Sequence, residues 1–356
     1  MPSYAGLLAR YGHLLDLPAH TERVTLLEGN TPLIPAPTLA SKMGGGFDLY
    51  IKYEGLNPTG SFKDRGMTAA ISEAQGRGAK TVICASTGNT AASAAAYAAR
   101  AGMKAIVLIP QGKVAAGKLA GAVAYGAQVI QVEGSFDDAL SMVVAITEKH
   151  PIALVNSINP YRIEGQKTSA FEICDTLGGV PEWLCLPVGN AGNITAYWAG
   201  FKQYDQLRSM GLPQVLGVQA AGSAPLVVGH PVENPETVAT AIRIGKPARG
   251  EQALQAAEES GGRIIAATDT QILDMQKTLA TTEGIWVEPA SVAGLAGLAL
   301  EIESGILDPK GKRIVAVCTG HGLKDPDIAI KQSTAPVIKI DAKLEQVKSA
   351  ILEYTA

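Results

Sequence analysis

Charge of one sign is missing from this 356-residue chain: 30 Lys and Arg stand against 33 Asp and Glu, a net charge of -3. No global basic field exists to hold nucleic acid or an anionic membrane, so the expected partners are small molecules. Cysteine is nearly absent. Cys84, Cys174, Cys185 and Cys318 form no CxxC pair and each lies in an apolar segment, which reads as small buried hydrophobes in a reducing compartment. The five histidines, at 13, 20, 150, 230 and 321, make no HExxH or similar cluster, and no metal site is expected. No apolar stretch reaches the roughly 18 residues of a membrane span. Arg10, His13 and Asp16 interrupt the apolar stripe at the start, so no export signal is read and a cytoplasmic location is expected. Aromatics reach only 5% whereas glycine, at 39 residues, is in excess, which implies many tight turns.

With 47% apolar and 18% charged residues the chain can bury a core, and disorder is excluded for most of it. Its length implies about two domains at roughly 150 residues each. Short β-branched runs alternate with Ala-rich helical stretches, the pattern of parallel strands joined by crossover helices, so the fold class is α/β with two open twisted sheets covered by helices on both faces. Strands at 81–85, 104–109, 128–132 and 152–155 alternate with helices at 62–75, 89–100, 114–125 and 136–150. A second series has strands at 183–186, 215–219, 263–267 and 313–318. Its helices fall at 162–177, 194–209, 270–282 and 291–302. Residues 25–53 have strand character but are too few to fold alone. The division expected is a large domain of residues 1–56 and 157–356 with a smaller mobile α/β domain, 57–156, inserted in it. Residues 229–250, rich in Pro and Gly, resist reading.

Four segments carry candidate chemistry. In Gly60-Ser61-Phe62-Lys63-Asp64, Ser61 and Asp64 read as a capping-box variant that puts Lys63 in the first turn of a helix. The positive helix end lowers an ammonium pKa, and a neutral amine is what attacks an aldehyde to form a Schiff base; the alternative is a lysine that leans away from the helix end. Pro187 to Asn193 follows an apolar strand and opens a helix. Its Gly and Asn residues let backbone N–H groups converge on a phosphate, without the spacing of a Walker or dinucleotide loop, or else form a plain tight turn. Ala85-Ser86-Thr87-Gly88-Asn89-Thr90 sits at the carboxyl end of a strand with the donors that grip a carboxylate, or that cap a helix. Thr319, between a buried strand and Gly320, reads as a turn or as a neutral contact to a flat ring.

Together these segments resemble pyridoxal-phosphate enzymes of the tryptophan-synthase β-subunit fold, fold type II. GNTPL at 29–33, GSFKDRGM at 60–67, STGNTAAS at 86–93, NPYRIEGQKT at 159–168, PVGNAGNITAYW at 187–198, TAIRIG at 240–245, EPAS at 288–291 and TGHGLKDP at 319–326 are similar to the threonine synthases. SFKDRG and GNAGNITAYW are specific to that family, whereas GNTPL and the EPA segment are shared with dehydratases. The resemblance implies that Lys63 binds pyridoxal 5'-phosphate covalently and then moves protons on the substrate. It places Asn89 on the ring hydroxyl, Gly189, Asn190, Ala191, Gly192 and Asn193 around the cofactor phosphate, and Thr319 on the ring nitrogen.

The implied reaction converts O-phospho-L-homoserine and water to L-threonine and phosphate; the rival is a threonine or serine dehydratase. Ser86, Thr87 and Thr90 would take the α-carboxylate, and Ser157, Arg162 and Asn190, with Lys113, the substrate's phosphate. A homodimer is expected from the resemblance. Little room precedes GNTPL for a regulatory extension, so control by S-adenosylmethionine is not expected. The tail ends in an amphipathic helix.

Overall fold

A computed structural model describes residues 4–111, 116–134, 136–332 and 337–355. In chain order the strands are β1 (Leu33–Pro35), β2 (Asp48–Tyr53), β3 (Thr81–Ala85), β4 (Lys104–Pro110), β5 (Gln128–Val132), β6 (Ala153–Leu154), β7 (Trp183–Pro187), β8 (Gln214–Ala220), β9 (Arg263–Ala267) and β10 (Arg313–Cys318). The helices are α1 (Leu7–Tyr11), α2 (Pro37–Lys42), α3 (Lys63–Gly76), α4 (Asn89–Arg100), α5 (Ala116–Ala124), α6 (Phe136–Lys149), α7 (Pro160–Leu177), α8 (Gly192–Arg208), α9 (Pro225–Val228), α10 (Gly250–Glu259), α11 (Asp269–Glu283), α12 (Ala293–Glu303), α13 (Pro326–Gln332) and α14 (Leu344–Thr355). Lys113 lies outside the described residues. Two compact units form, residues up to Asp325 and the tail from Pro326. The tail's α14 exposes Leu344, Val347, Ile351 and Leu352. No helix among the described residues is long and apolar enough to cross a membrane.

The first unit holds two sheets, a six-stranded one in the order β1-β2-β10-β7-β8-β9 and a four-stranded one in the order β5-β4-β3-β6. Every neighbouring pair is parallel except β1 with β2, so crossovers must cover both faces. The central strands accordingly read as unbroken apolar runs: all of β7 is buried, and β10 splits by period two, Ile314, Ala316 and Cys318 facing one core and Val315 and Val317 the other. All four cysteines are buried and unpaired. Because the large-sheet strands β2, β10, β7, β8 and β9 run parallel, the loops after β7 and β10 leave the same edge of that sheet, where α/β folds bind ligands.

Helix α3, which begins at Lys63, is tied to the large sheet by a buried ionic cluster. Arg65 is 1% exposed; its Nε donates to Glu54 Oε2 at 2.6 Å and its Nη2 and Nη1 to Glu172 at 2.6 and 2.9 Å. Lys52 Nζ adds a bond to Glu172 at 2.7 Å and another to the Thr31 carbonyl. Two cations thus meet two carboxylates with almost no water. Despite burial, which opposes it, the two cations hold the Glu54 and Glu172 carboxyls below their ordinary range, and burial pushes the Lys52 ammonium down. The same elements cross closely at Gly66 and Gly165, where a Cβ on Gly165 would run into the Arg65 carbonyl and one on Gly66 would stand 2.7 Å from Arg162 Nε. That approach seats Arg162 against the first turn of α3.

The capping box expected at Ser61 does not form. Helix α3 has no side-chain cap; Asp64 turns back instead to accept from Thr59 N and Oγ1, both at 2.6 Å, and from Ser93 Oγ at 2.6 Å. A buried carboxylate gains more from three strong donors than from one distant cap. Burial still pushes its carboxyl up, to about 6. Truncating Arg65 leaves two buried carboxylates with one cation between them, so Arg65→Ala is expected to lose about 3–5 kcal/mol of stability, measured by denaturant unfolding.

Candidate active site

Lys63 stands in the first turn of α3, half-buried, with its ammonium nitrogen 3.6 Å from the Phe62 ring centre. No carboxylate among the described residues pairs with it directly. Burial first and the Arg162 guanidinium second lower its pKa to about 7, against a partial opposing pull from Glu288. An amine that would carry a charge in water is therefore about half neutral at neutral pH. Arg162 itself is 1% exposed: Nη1 donates to the Val155 carbonyl at 2.8 Å, Nε has no partner, and burial lowers its pKa to about 10.

Backbone pairing draws the strand-end loops onto this lysine. Phe62 N donates to the Thr319 carbonyl at 2.9 Å, His321 N donates to the Gly60 carbonyl at 2.9 Å, and Ser61 and Gly320 form an isolated bridge. The Thr319 hydroxyl, 4% exposed, sits 3.0 Å from Ser291 Oγ, so its partner is neutral. Residues 86–90 follow β3 of the small sheet, and Asn89 spans the gap by donating from Nδ2 to both oxygens of Glu288 at 2.9 and 3.2 Å. The start of α4 carries no side-chain cap. Ser86 Oγ accepts only a 3.3 Å bond from Gly88 N, and Thr87 and Thr90 face partly open space.

The Gly189–Asn193 turn runs from β7 into the start of α8. A Cβ on Gly189 would stand 2.9 Å from the Ile242 Cα, so only glycine lets the turn lie there, and Ala191 takes a left-handed backbone, φ 63°. Asn193 is 8% exposed and its Nδ2 is buried without an acceptor. A buried donor with no partner at a helix start is the signature of a place made for an anion. Asn190 Oδ1 accepts from Ala248 N at 3.0 Å, and the Ser157 carbonyl receives Arg249 Nε at 3.4 Å, which brings Ser157 and Asn190 to opposite sides of one loop.

The sequence matches the family of pyridoxal-phosphate dependent enzymes over residues 24–320. It is 55% identical over 348 residues to a threonine synthase of Bacillus sp. (strain ULM1), covering 98% of each chain. It is 56% identical to a threonine synthase of Synechocystis sp. over 93% of this chain and 86% of that one. The chain belongs to the threonine synthase family. Pyridoxal phosphate is its cofactor. The fold also resembles the processed threonine deaminase isoform 2 of Solanum lycopersicum, with a TM-score of 0.72 and 24% identity over 85% of this chain and 87% of that one.

The residues present suit that group. Lys63 offers an amine whose proton is loosely held, the turn at Gly189–Asn193 offers an unused amide donor, and Thr319 offers an uncharged hydroxyl. Glu288 is a residue that pattern reading passed over. The EPAS segment marked it as part of a shared motif, but nothing in the order of residues says that its carboxylate faces Asn89 and Lys63. Burial raises its pKa, and the Lys63 charge and the Asn89 amide pull it back. Arg162 and Glu288 therefore act on Lys63 with opposite signs. Removing the cation in Arg162→Ala should move the midpoint of Lys63 reactivity to higher pH, and Glu288→Gln should move it lower. The check is the pH profile of pyridoxal-phosphate capture by the cofactor-free protein, trapped with borohydride and mapped to Lys63.

Proposed function

We propose that the enzyme converts O-phospho-L-homoserine and water to L-threonine and inorganic phosphate. The observation that carries this reading is the Lys63 amine, its pKa lowered to about 7 by burial and by Arg162, in a chain that also offers two sets of anion donors. One set, Ser86, Thr87 and Thr90, suits an α-carboxylate; the other, Ser157, Arg162 and Asn190, suits a phosphate with three acceptor oxygens. Relatives covered over 86–98% of their length that are named threonine synthases support it.

The site residues would work as follows. Lys63 holds the cofactor, Asn89 meets its ring hydroxyl, the Gly189–Asn193 turn takes its phosphate and Thr319 meets its ring nitrogen. When bound, pyridoxal phosphate supplies an aldehyde and an electron-withdrawing ring that stabilises negative charge at the substrate's α-carbon. Lys63, with a pKa near 7, is suited both to take a proton from Cα and then Cβ and to return one at Cγ. The cation of Arg162 and the donors of Ser157 and Asn190 neutralise the phosphate as the Cγ–O bond breaks. Water then adds its oxygen to Cβ, and the balance of protons leaves Cγ a methyl group. Thr319 donates no full charge to the ring, so charge stays near the reacting carbons and Lys63 governs where protons go.

We also propose that residues 57–156 move as a body against 1–56 and 157–356. The two sheets share no strand, which supports that division, while Arg65 anchors α3 to Glu54 and Glu172 and so makes that helix the pivot of the motion. Purified enzyme incubated with O-phospho-L-homoserine is expected to release threonine and inorganic phosphate in equal amounts, and Lys63→Ala to abolish both. Threonine-free release of a 2-oxo acid and ammonia would instead support a dehydratase.

A further inference from the structure

The loop at 245–249, within a stretch whose sequence pattern says little, closes the phosphate end of the site. Its Ala248 N–H satisfies Asn190 Oδ1, which leaves the Asn190 amide to present its donor side, Nδ2. The next residue, Arg249, is half-buried and spends only Nε, in a long bond to the Ser157 carbonyl at 3.4 Å. Its two terminal amino groups have no hydrogen-bond or ion-pair partner among the described residues. Burial lowers its pKa, with no neighbouring carboxylate to restore it.

Arg162 likewise has no ion-pair partner among the described residues, its Nη1 donating to the Val155 carbonyl. Most other arginines of the first unit have a carboxylate partner, among them Arg10, Arg65, Arg77, Arg208, Arg243, Arg263 and Arg313. Arg162 and Arg249 form no such pair among the described residues: Arg162 is buried on the Val155 carbonyl and Arg249 half-buried on the Ser157 carbonyl, two residues further along the same segment. A guanidinium drawn from solvent with only a neutral carbonyl to accept from it is costly. A dianion bound beside the 155–157 segment that both arginines touch would relieve each of them.

We propose that Arg249 is a specificity-determining residue that binds the substrate's phosphate together with Arg162, Ser157 and Asn190. The inference rests on the reaction proposed above. It also explains a structural asymmetry: Arg249 comes from the loop after β8 of the large sheet, whereas Ser157 follows β6 of the small one. A phosphate held by both ties the two sides of the site together at the moment it is bound. An uncharged hydroxyl substrate would leave the two cations unrelieved, so the same pair disfavours serine and threonine.

The test compares holoenzyme with Arg249→Gln, which keeps length and removes charge, and Arg249→Lys, which keeps charge and removes the fork. KM for O-phospho-L-homoserine is expected to rise about tenfold or more in Arg249→Gln, the loss of roughly one charge-assisted bond, with kcat changed far less. The inhibition constant of inorganic phosphate should rise in the same proportion, and Arg249→Lys should recover part of both. An unchanged phosphate inhibition constant in Arg249→Gln, or a fall in kcat with KM intact, overturns the assignment. If wild-type enzyme releases no phosphate from this substrate, the proposed reaction fails. Titration calorimetry of inorganic phosphate into wild type and Arg249→Gln then still decides whether Arg249 binds the anion.

Discussion

Burying a guanidinium costs least when carboxylates follow it, and Arg65 is buried with two. Glu54 comes from the end of β2 and Glu172 from α7, so satisfying one side chain fixes three elements against each other. The cluster lies two residues from Lys63. Once it closes, the start of α3 has one place to be, and the Gly66–Gly165 crossing decides how near Arg162 comes. The reactive lysine is positioned by charges that take no part in the chemistry.

Around that lysine the electrostatics are arranged by sign. Arg162 and burial favour the neutral amine, while Glu288 moderates them from the side of Asn89. Beyond Arg162 the proposed anion sites are made of donors: the hydroxyls at 86–90, the amides of Asn190 and Asn193, and the Arg249 guanidinium. The carboxylates of Glu288 and Asp64 are each bound by donors of their own. Anions with three or more oxygens fit such a place better than neutral side chains do.

Much of the framework was legible in the order of residues. Period-two burial in β10, unbroken apolar runs in β7 and Ala-rich crossovers announce a parallel sheet, and β3, α4, β5, β9 and β10 begin and end where the pattern places them. Helix starts were read less well. The long helices α7 and α8 each begin two residues earlier than their apolar periodicity suggests, because Pro160 and Gly192 extend them without adding an apolar side chain. At Ser61 the local rule pointed to a cap that Asp64, drawn to Thr59 and Ser93, did not supply. The loop at 245–249 carried no periodic signal at all, so Arg249 was invisible until Ser157 and Asn190 stood beside it.

Amino-acid order alone determined the class of fold, the lysine at a helix start and the glycine turn after an apolar strand, since each depends on neighbours within a few residues. Which charges surround the lysine was left to tertiary structure. Glu288 lies 225 positions from Lys63 and Arg162 lies 99; only folding brings them within electrostatic reach. Coulomb interaction depends on distance and burial rather than on separation along the chain, so the ionisation of Lys63 belongs to the fold.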